Sequence, residues 1–115
     1  MIALKSTEQA EAATFPVMNP FDGSVTGQGP VARPEDLPQI LARAAQGQTV
    51  ARAMPRHRRA QILETAAALV GARAERFAQQ ITAEAGKTIR QARKEVTRCI
   101  NTLKLSAEEA KRGAG

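Results

Sequence analysis

The sequence predicts a mainly α-helical chain opened by a short β-hairpin, and three observations carry that class. Four stretches repeat apolar residues every three or four positions, the spacing of one helix face. One turn-forming run, Asn19-Pro20-Phe21-Asp22-Gly23, separates the short strand-like stretches Phe15-Pro16-Val17-Met18 and Ser24-Val25-Thr26-Gly27. Composition adds the third: 43% of the 115 residues are apolar, yet the aromatics are three Phe with no Tyr or Trp. The core must therefore be built from Ala, Leu, Ile and Val. At about 25 cal/mol per Å² of buried apolar surface, an Ala-rich interface stabilises far less than one with Leu or Phe. A thin core and doubtful stability in isolation follow.

Residues 1–14 mix Ala with Glu, Gln, Thr and Ser without periodicity and read as a mobile tail. The hairpin is expected over 15–31, where Pro20 sets a turn φ and Gly23 supplies a positive one. A two-stranded ribbon is marginal in water, so it needs a surface to lie on. The first helix is expected over 35–46. Pro34, Glu35 and Asp36 suit a helix N-terminus, Leu37, Ile40, Leu41 and Ala44 follow at helical spacing, and Gly47 ends it before a loop to Pro55. A second helix over 56–71 presents Ile62, Leu63, Ala66, Leu69 and Val70, with Gly71 placed to close or bend it. A third, over 73–85, presents Phe77, Ala78, Ile81 and Ala85, and Gly86 is its C-cap, with Lys87 at the negative end of the helix dipole. The fourth covers 89–112, a rod about 36 Å long at 1.5 Å per residue. Its apolar stripe is Ile89, Ala92, Val96, Cys99, Ile100, Leu103, Ala107 and Ala110.

Each chemically suggestive feature has a plainer competitor. Gly86-Lys87-Thr88 matches the close of a phosphate-binding loop, but that loop needs a glycine where Ile81 stands and a strand where the spacing is helical. A formal net charge of +6, the Arg56/Arg58/Arg59 cluster and the Arg90, Lys94, Arg98 series form a basic face of the kind that meets nucleic acid. Without Tyr or Trp for stacking, and with Glu84, Glu95, Glu108 and Glu109 close by, a solvated helix face is the better reading. His57, the single histidine, lies among arginines with no orienting acid and reads as a surface residue. Cys99 lies between Val96 and Ile100 on the stripe and reads as a buried structural thiol. One cysteine permits no internal disulfide, no charged-then-apolar leader opens the chain, and no apolar run reaches membrane-spanning length. A cytoplasmic setting, with no membrane partner, is the expectation.

Taken in order, Asn19-Pro20-Phe21-Asp22-Gly23 with Val25 and Gly27 following, Glu35-Asp36, Arg59 with Ile62-Leu63, Glu84-Ala85-Gly86-Lys87, Ala92-Arg93-Lys94-Glu95-Val96 and Ser106-Ala107-Glu108-Glu109-Ala110 resemble the N-terminal region of the aldehyde dehydrogenase superfamily. The likeness runs from about Val17 to Ala110 and leans toward branches acting on small hydroxy-, phospho- or phosphono-aldehydes. The resemblance implies an α/β fold for the full-length family, in which this region packs beside a Rossmann-like sheet supplied by later sequence. It implies a thiolate attacking an aldehyde, hydride transfer to NAD or NADP, and hydrolysis of the thioester. It also implies that the nucleophilic cysteine, the general-base glutamate, the oxyanion-hole asparagine and the lysine and glycines that hold NAD(P) belong to segments after Gly115. Residues 15–115 are then the N-terminal part of the dehydrogenase domain, with no catalytic, cofactor-binding or metal residue of their own, and Cys99 does not match the nucleophile. Glu95 aligns with a carboxylate that, in some members, binds a structural monovalent cation together with carbonyls near the hairpin; a solvated or salt-bridged glutamate is the competing reading.

The expected role is therefore a truncated scaffold, inactive alone, that needs the rest of the fold or an oligomer partner against the 89–110 stripe. The aldehyde is a substrate of the full-length protein only. The alternative is a free-standing basic helical module that binds a protein or nucleic acid, and a third possibility is a fragment that docks on a full-length dehydrogenase through its unpaired stripe.

Overall fold

The computed structural model describes residues 13–112. An antiparallel hairpin of β1 (Thr14–Met18) and β2 (Val25–Pro30) leads through a 3-10 turn at Pro34–Asp36 into four helices: α1 (Leu37–Ala53), α2 (Arg56–Ala72), α3 (Ala74–Ala85) and α4 (Ile89–Arg112). The chain is thus mainly helical with an N-terminal hairpin. No helix among the described residues is long and apolar enough to cross a membrane.

The strands pair from Thr14↔Pro30 to Met18↔Val25, with a register shift between Val17 and Met18. At that irregularity the Thr26 hydroxyl donates to the Val17 carbonyl at 3.0 Å. The tail expected over 1–14 falls mostly outside the described residues. Residues 1–12 lie outside the described part, and Thr14 already belongs to the ladder, its hydroxyl donating to Gln28 Oε1 at 3.1 Å. A β-branched residue with a partner across the sheet is ordered by that partner, which local composition does not reveal.

The first helix departs furthest from expectation. It starts at Leu37, behind a tight turn in which the Arg33 N–H donates to the Asp36 carboxylate at 2.8 Å, and it runs through Gly47 to Ala53. A lone glycine costs about 1 kcal/mol relative to alanine in a helix, and the Ala and Gln residues around it are good enough helix formers to absorb that. The actual stop is Pro55, which forces Met54 out of the helical region to φ −71° and ψ 128°. In the same way α2 passes Gly71 without a break and ends at Ala72.

The core sits where α4 meets α2 and α3. Glu64 pairs with Lys111, and a side chain at Gly71 would meet Ile100, so α2 runs antiparallel to α4. Ala78, Ala92 and Val96 form the centre, with Val70, Ala74, Ile81, Ile89 and Ile100 packed around it. The remaining buried residues are Ala60, Ala67 and Ala107. Val96 is thus the one buried side chain larger than alanine among the described residues. Helices that meet through alanines approach closely but remove little apolar area from water, the thin core that composition implies.

The 89–110 stripe is covered in part within the chain: Ala92, Val96 and Ala107 are buried against α2 and α3, Ile89, Ile100, Leu103 and Ala110 are half-buried, and Cys99 is exposed. Exposed apolar side chains concentrate on α1 (Leu37, Ile40, Leu41 and Val50) and the hairpin (Phe15, Met18, Phe21 and Val25), with Ile62 and Leu69 on α2, Phe77 on α3 and Leu105 on α4 exposed as well. No residue of α1 is buried.

Candidate functional site

Two of the motifs singled out in sequence, the Asn19–Gly23 turn and the Gly86–Thr88 segment, meet at the junction of α3 and α4. α3 stops because Gly86 adopts φ 67° and ψ 16°, a left-handed conformation that glycine enters without penalty, and its N–H donates to the Thr82 carbonyl at 3.0 Å. The tip of the hairpin rests on this turn. A Cβ at Gly86 would lie 2.9 Å from Pro20 Cγ, so the absence of a side chain lets the two segments meet.

The tip is itself a closed hydrogen-bonded unit. The Asn19 N–H donates to the Ser24 carbonyl at 2.7 Å, and the Gly23 N–H, at φ 72°, donates to the Asn19 carbonyl at 2.8 Å. Asn19 Oδ1 accepts from the Phe21 N–H, and Asp22 Oδ1 accepts from both the hydroxyl and the N–H of Ser24, at 2.6 and 2.9 Å. The Ser24 hydroxyl, and then its N–H, hold the Asp22 carboxyl below the usual aspartate range.

Between tip and junction lies a cleft of about 420 Å³, bordered by Asn19, Phe21, Gln79, Thr82, Lys87 and Ile89. The Thr82 hydroxyl is buried and has no hydrogen-bond partner among the described residues. Gly86-Lys87-Thr88 follows a helix rather than a strand, so its backbone does not form a phosphate cradle. Instead Thr88 opens α4, its carbonyl accepting from the Ala92 N–H at 2.9 Å and its hydroxyl from the Gln91 N–H at 3.3 Å. The Lys87 ammonium contacts the Glu95 carboxylate.

The other singled-out residues are dispersed. His57 is exposed on the first turn of α2. Cys99 is exposed as well, against the expectation of a buried thiol. At 100° per residue it lies about 60° round the helix from Val96, on the side away from Ile100, and α2 and α3 do not reach that far. It shares a shallow groove with Glu95, Arg98 and Thr102. Arg90, Lys94 and Arg98 face outward along α4, while Arg93 beside them grips Glu75 through two hydrogen bonds of 2.8 and 3.0 Å. The Arg93 guanidinium holds the Glu75 carboxyl below its usual range, and Glu75 in turn raises Arg93. Among the described residues, no group of three or more His, Cys, Asp and Glu is placed to hold a metal ion.

Sequence reasoning missed the long-range ion pairs. Glu75–Arg93, Glu64–Lys111 and Lys87–Glu95 join residues on different helices or across the junction, so no i, i+4 signal announces them. Once α4 is known to pair with α2 and α3, opposite charges at the facing edges are the signal that would have found them.

Comparison with known proteins matches residues 7–115 to the aldehyde dehydrogenase family. An aldehyde-dehydrogenase-like protein of Sinorhizobium fredii is 55% identical over 103 residues, covering 90% of this chain and 20% of that protein. Aspartate-semialdehyde dehydrogenase 1 of Pseudomonas canavaninivorans is 54% identical over 99 residues, 86% of this chain and 21% of its own length. In three dimensions the chain superposes on the crystal structure of aldehyde dehydrogenase 21 from Physcomitrella patens, solved with the reaction product succinate, at a TM-score of 0.86 and 33% identity, covering 92% of this chain and 22% of that one. The chain spans about a fifth of the length of these relatives. Hairpin, helices and sequence agree over nearly its whole length, and the chain belongs to the aldehyde dehydrogenase family.

Proposed function

We propose that this chain is the opening scaffold of an NAD(P)-dependent enzyme that oxidises a small aldehyde carrying its own acid group, and that residues 1–115 alone catalyse no such oxidation. The observation that carries the substrate class is the pair of relatives named for acidic substrates and products: a dehydrogenase of aspartate semialdehyde at 54% identity and a structure holding succinate. The scaffold role is supported by the fraction of those relatives that the chain spans, and by the exposure of Cys99 on a helix flank beside Arg98 and Thr102. A cysteine that attacks an aldehyde needs a base and an oxyanion hole arranged around it. The uncovered apolar faces of α1 and the hairpin supply the surfaces on which such a scaffold would meet the remainder of the domain.

The test begins by reading the genomic frame past the codon for Gly115 and expressing the continuous product. Nicotinamide reduction is then compared for aspartate semialdehyde, succinate semialdehyde and an uncharged aldehyde of similar length, with each of NAD and NADP. Turnover that favours the two acidic aldehydes is expected. A preference for the uncharged one refutes the substrate class, and a stop with no further dehydrogenase sequence refutes the scaffold role.

A further inference from the structure

We propose that the Lys87 ammonium is the resident counter-ion of Glu95 and takes the place that the family resemblance assigns to a monovalent metal ion, so that this part of the fold forms without one. The resemblance puts Glu95 in the position of a cation-binding carboxylate beside carbonyls of the hairpin. The donor set does not fit that role. Glu95 Oε1 is engaged by Lys87 Nζ, and both side chains are about two-fifths exposed, so the pair is partly sheltered rather than free in solvent. On its other flank Glu95 shares a groove with Arg98. An arriving metal ion would meet two positive groups around one carboxylate, with no second carboxylate lining that groove among the described residues.

An ammonium group and an alkali ion make the same demand of a site, a single positive charge surrounded by oxygen, so one carboxylate serves one or the other. Lys87 has the advantage of tethering. It occupies the α3–α4 turn, fixed on one side by the left-handed Gly86 and on the other by Thr88 bonded to the first turn of α4, while Glu95 stands further along the same helix. Such closure acts at an effective concentration on the order of millimolar or above, independent of the salt outside. Lys87 also borders the cleft under the hairpin tip together with Asn19 and Phe21. This inference stands on the Lys87–Glu95 contact and does not depend on which aldehyde the family reading implies.

The experiment melts the whole 115-residue chain in sodium, potassium and choline chloride at equal ionic strength. Coincident midpoints are expected. A selective ion site at a hundredfold excess over its Kd would raise the midpoint by roughly 10–20 °C, and a rise of that kind in sodium or potassium over choline overturns the proposal. Lys87→Met should lower the midpoint by roughly 2–5 °C in choline chloride, and an unchanged midpoint counts against Lys87 as the counter-ion. Should that variant fail to fold, the sodium NMR line width of the unmodified chain gives an independent reading against Glu95→Gln. Equal broadening by both chains supports the proposal, and broadening that Glu95→Gln removes contradicts it.

Discussion

Gly86 carries two constraints at once, a positive φ and a close approach to Pro20, and each resists a side chain. Gly86→Ala should destabilise the fold by about 1–2 kcal/mol from the left-handed backbone, with a further loss as Pro20 is displaced. Urea unfolding checks this, and adding Pro20→Ala should return the contact part while leaving the backbone part. Acid–base behaviour is equally local. Arg93 bonds to the ionised form of Glu75 and so holds its folded-state pKa below the ordinary glutamate value. Its contribution to stability is therefore fully present above the ordinary glutamate pKa and is lost as pH falls through the lower, folded value. Both partners are more than half exposed, so solvent screens the pair and the effect on melting is small. NMR titration should find the Glu75 carboxyl below its usual range in the native chain and back within it after Arg93→Gln. At this scale Gly86 and Gly23 were legible because positive φ selects for glycine. The exposure of Cys99 was not, since a position at the edge of an apolar stripe is buried or bare according to how far the neighbouring helices reach.

Each helix was legible as an element because its apolar spacing is a local property of the chain, whereas the end of α1 was set by a competition between signals. Gly47 weakens the helix by about 1 kcal/mol and Pro55 forbids it at about 3, so the proline marks the boundary and the glycine is carried through. Beyond its chain neighbours and the backbone of α1 itself, no atom of the described residues lies within 4 Å of where a Cβ at Gly47 would stand. Gly47→Ala should therefore raise helix content and slow amide exchange in α1, with little effect on unfolding of α2, α3 and α4, because α1 buries nothing against them. Where α3 meets α4 the opposite holds. Ala78 is fully enclosed against Ala92 and Val96, and Ala78→Leu should cost about 1–3 kcal/mol through overpacking, read as a lower urea midpoint. The alanine bias announced that these helices approach closely. Which helices pair was hidden, because alanine at helical spacing fits any neighbour.

At the scale of the molecule the chain is open. Its radius of gyration is 19.2 Å, against roughly 13 Å for a compact domain of similar length. The difference follows from two elements that extend beyond the α2–α3–α4 unit: a helix with no buried residue, and a hairpin that touches the rest through its tip. Leu41, Val50, Phe21 and Val25 remain in water, and the chain spans about a fifth of the length of its relatives. The ordered series from Asn19 to Ala110 made the family legible, because turn glycines, helix caps and the α3–α4 junction are local motifs that survive in sequence. The exposed apolar residues of α1 and the share of the α4 stripe that α2 and α3 cover were not legible, since helical spacing alone does not say which helices pair. The central claim is that these residues supply scaffold and no chemistry. Incubating the purified 115-residue chain with succinate semialdehyde and either NAD or NADP tests it most directly. The account predicts no nicotinamide reduction above a protein-free control, and sustained turnover proportional to the amount of chain would contradict it.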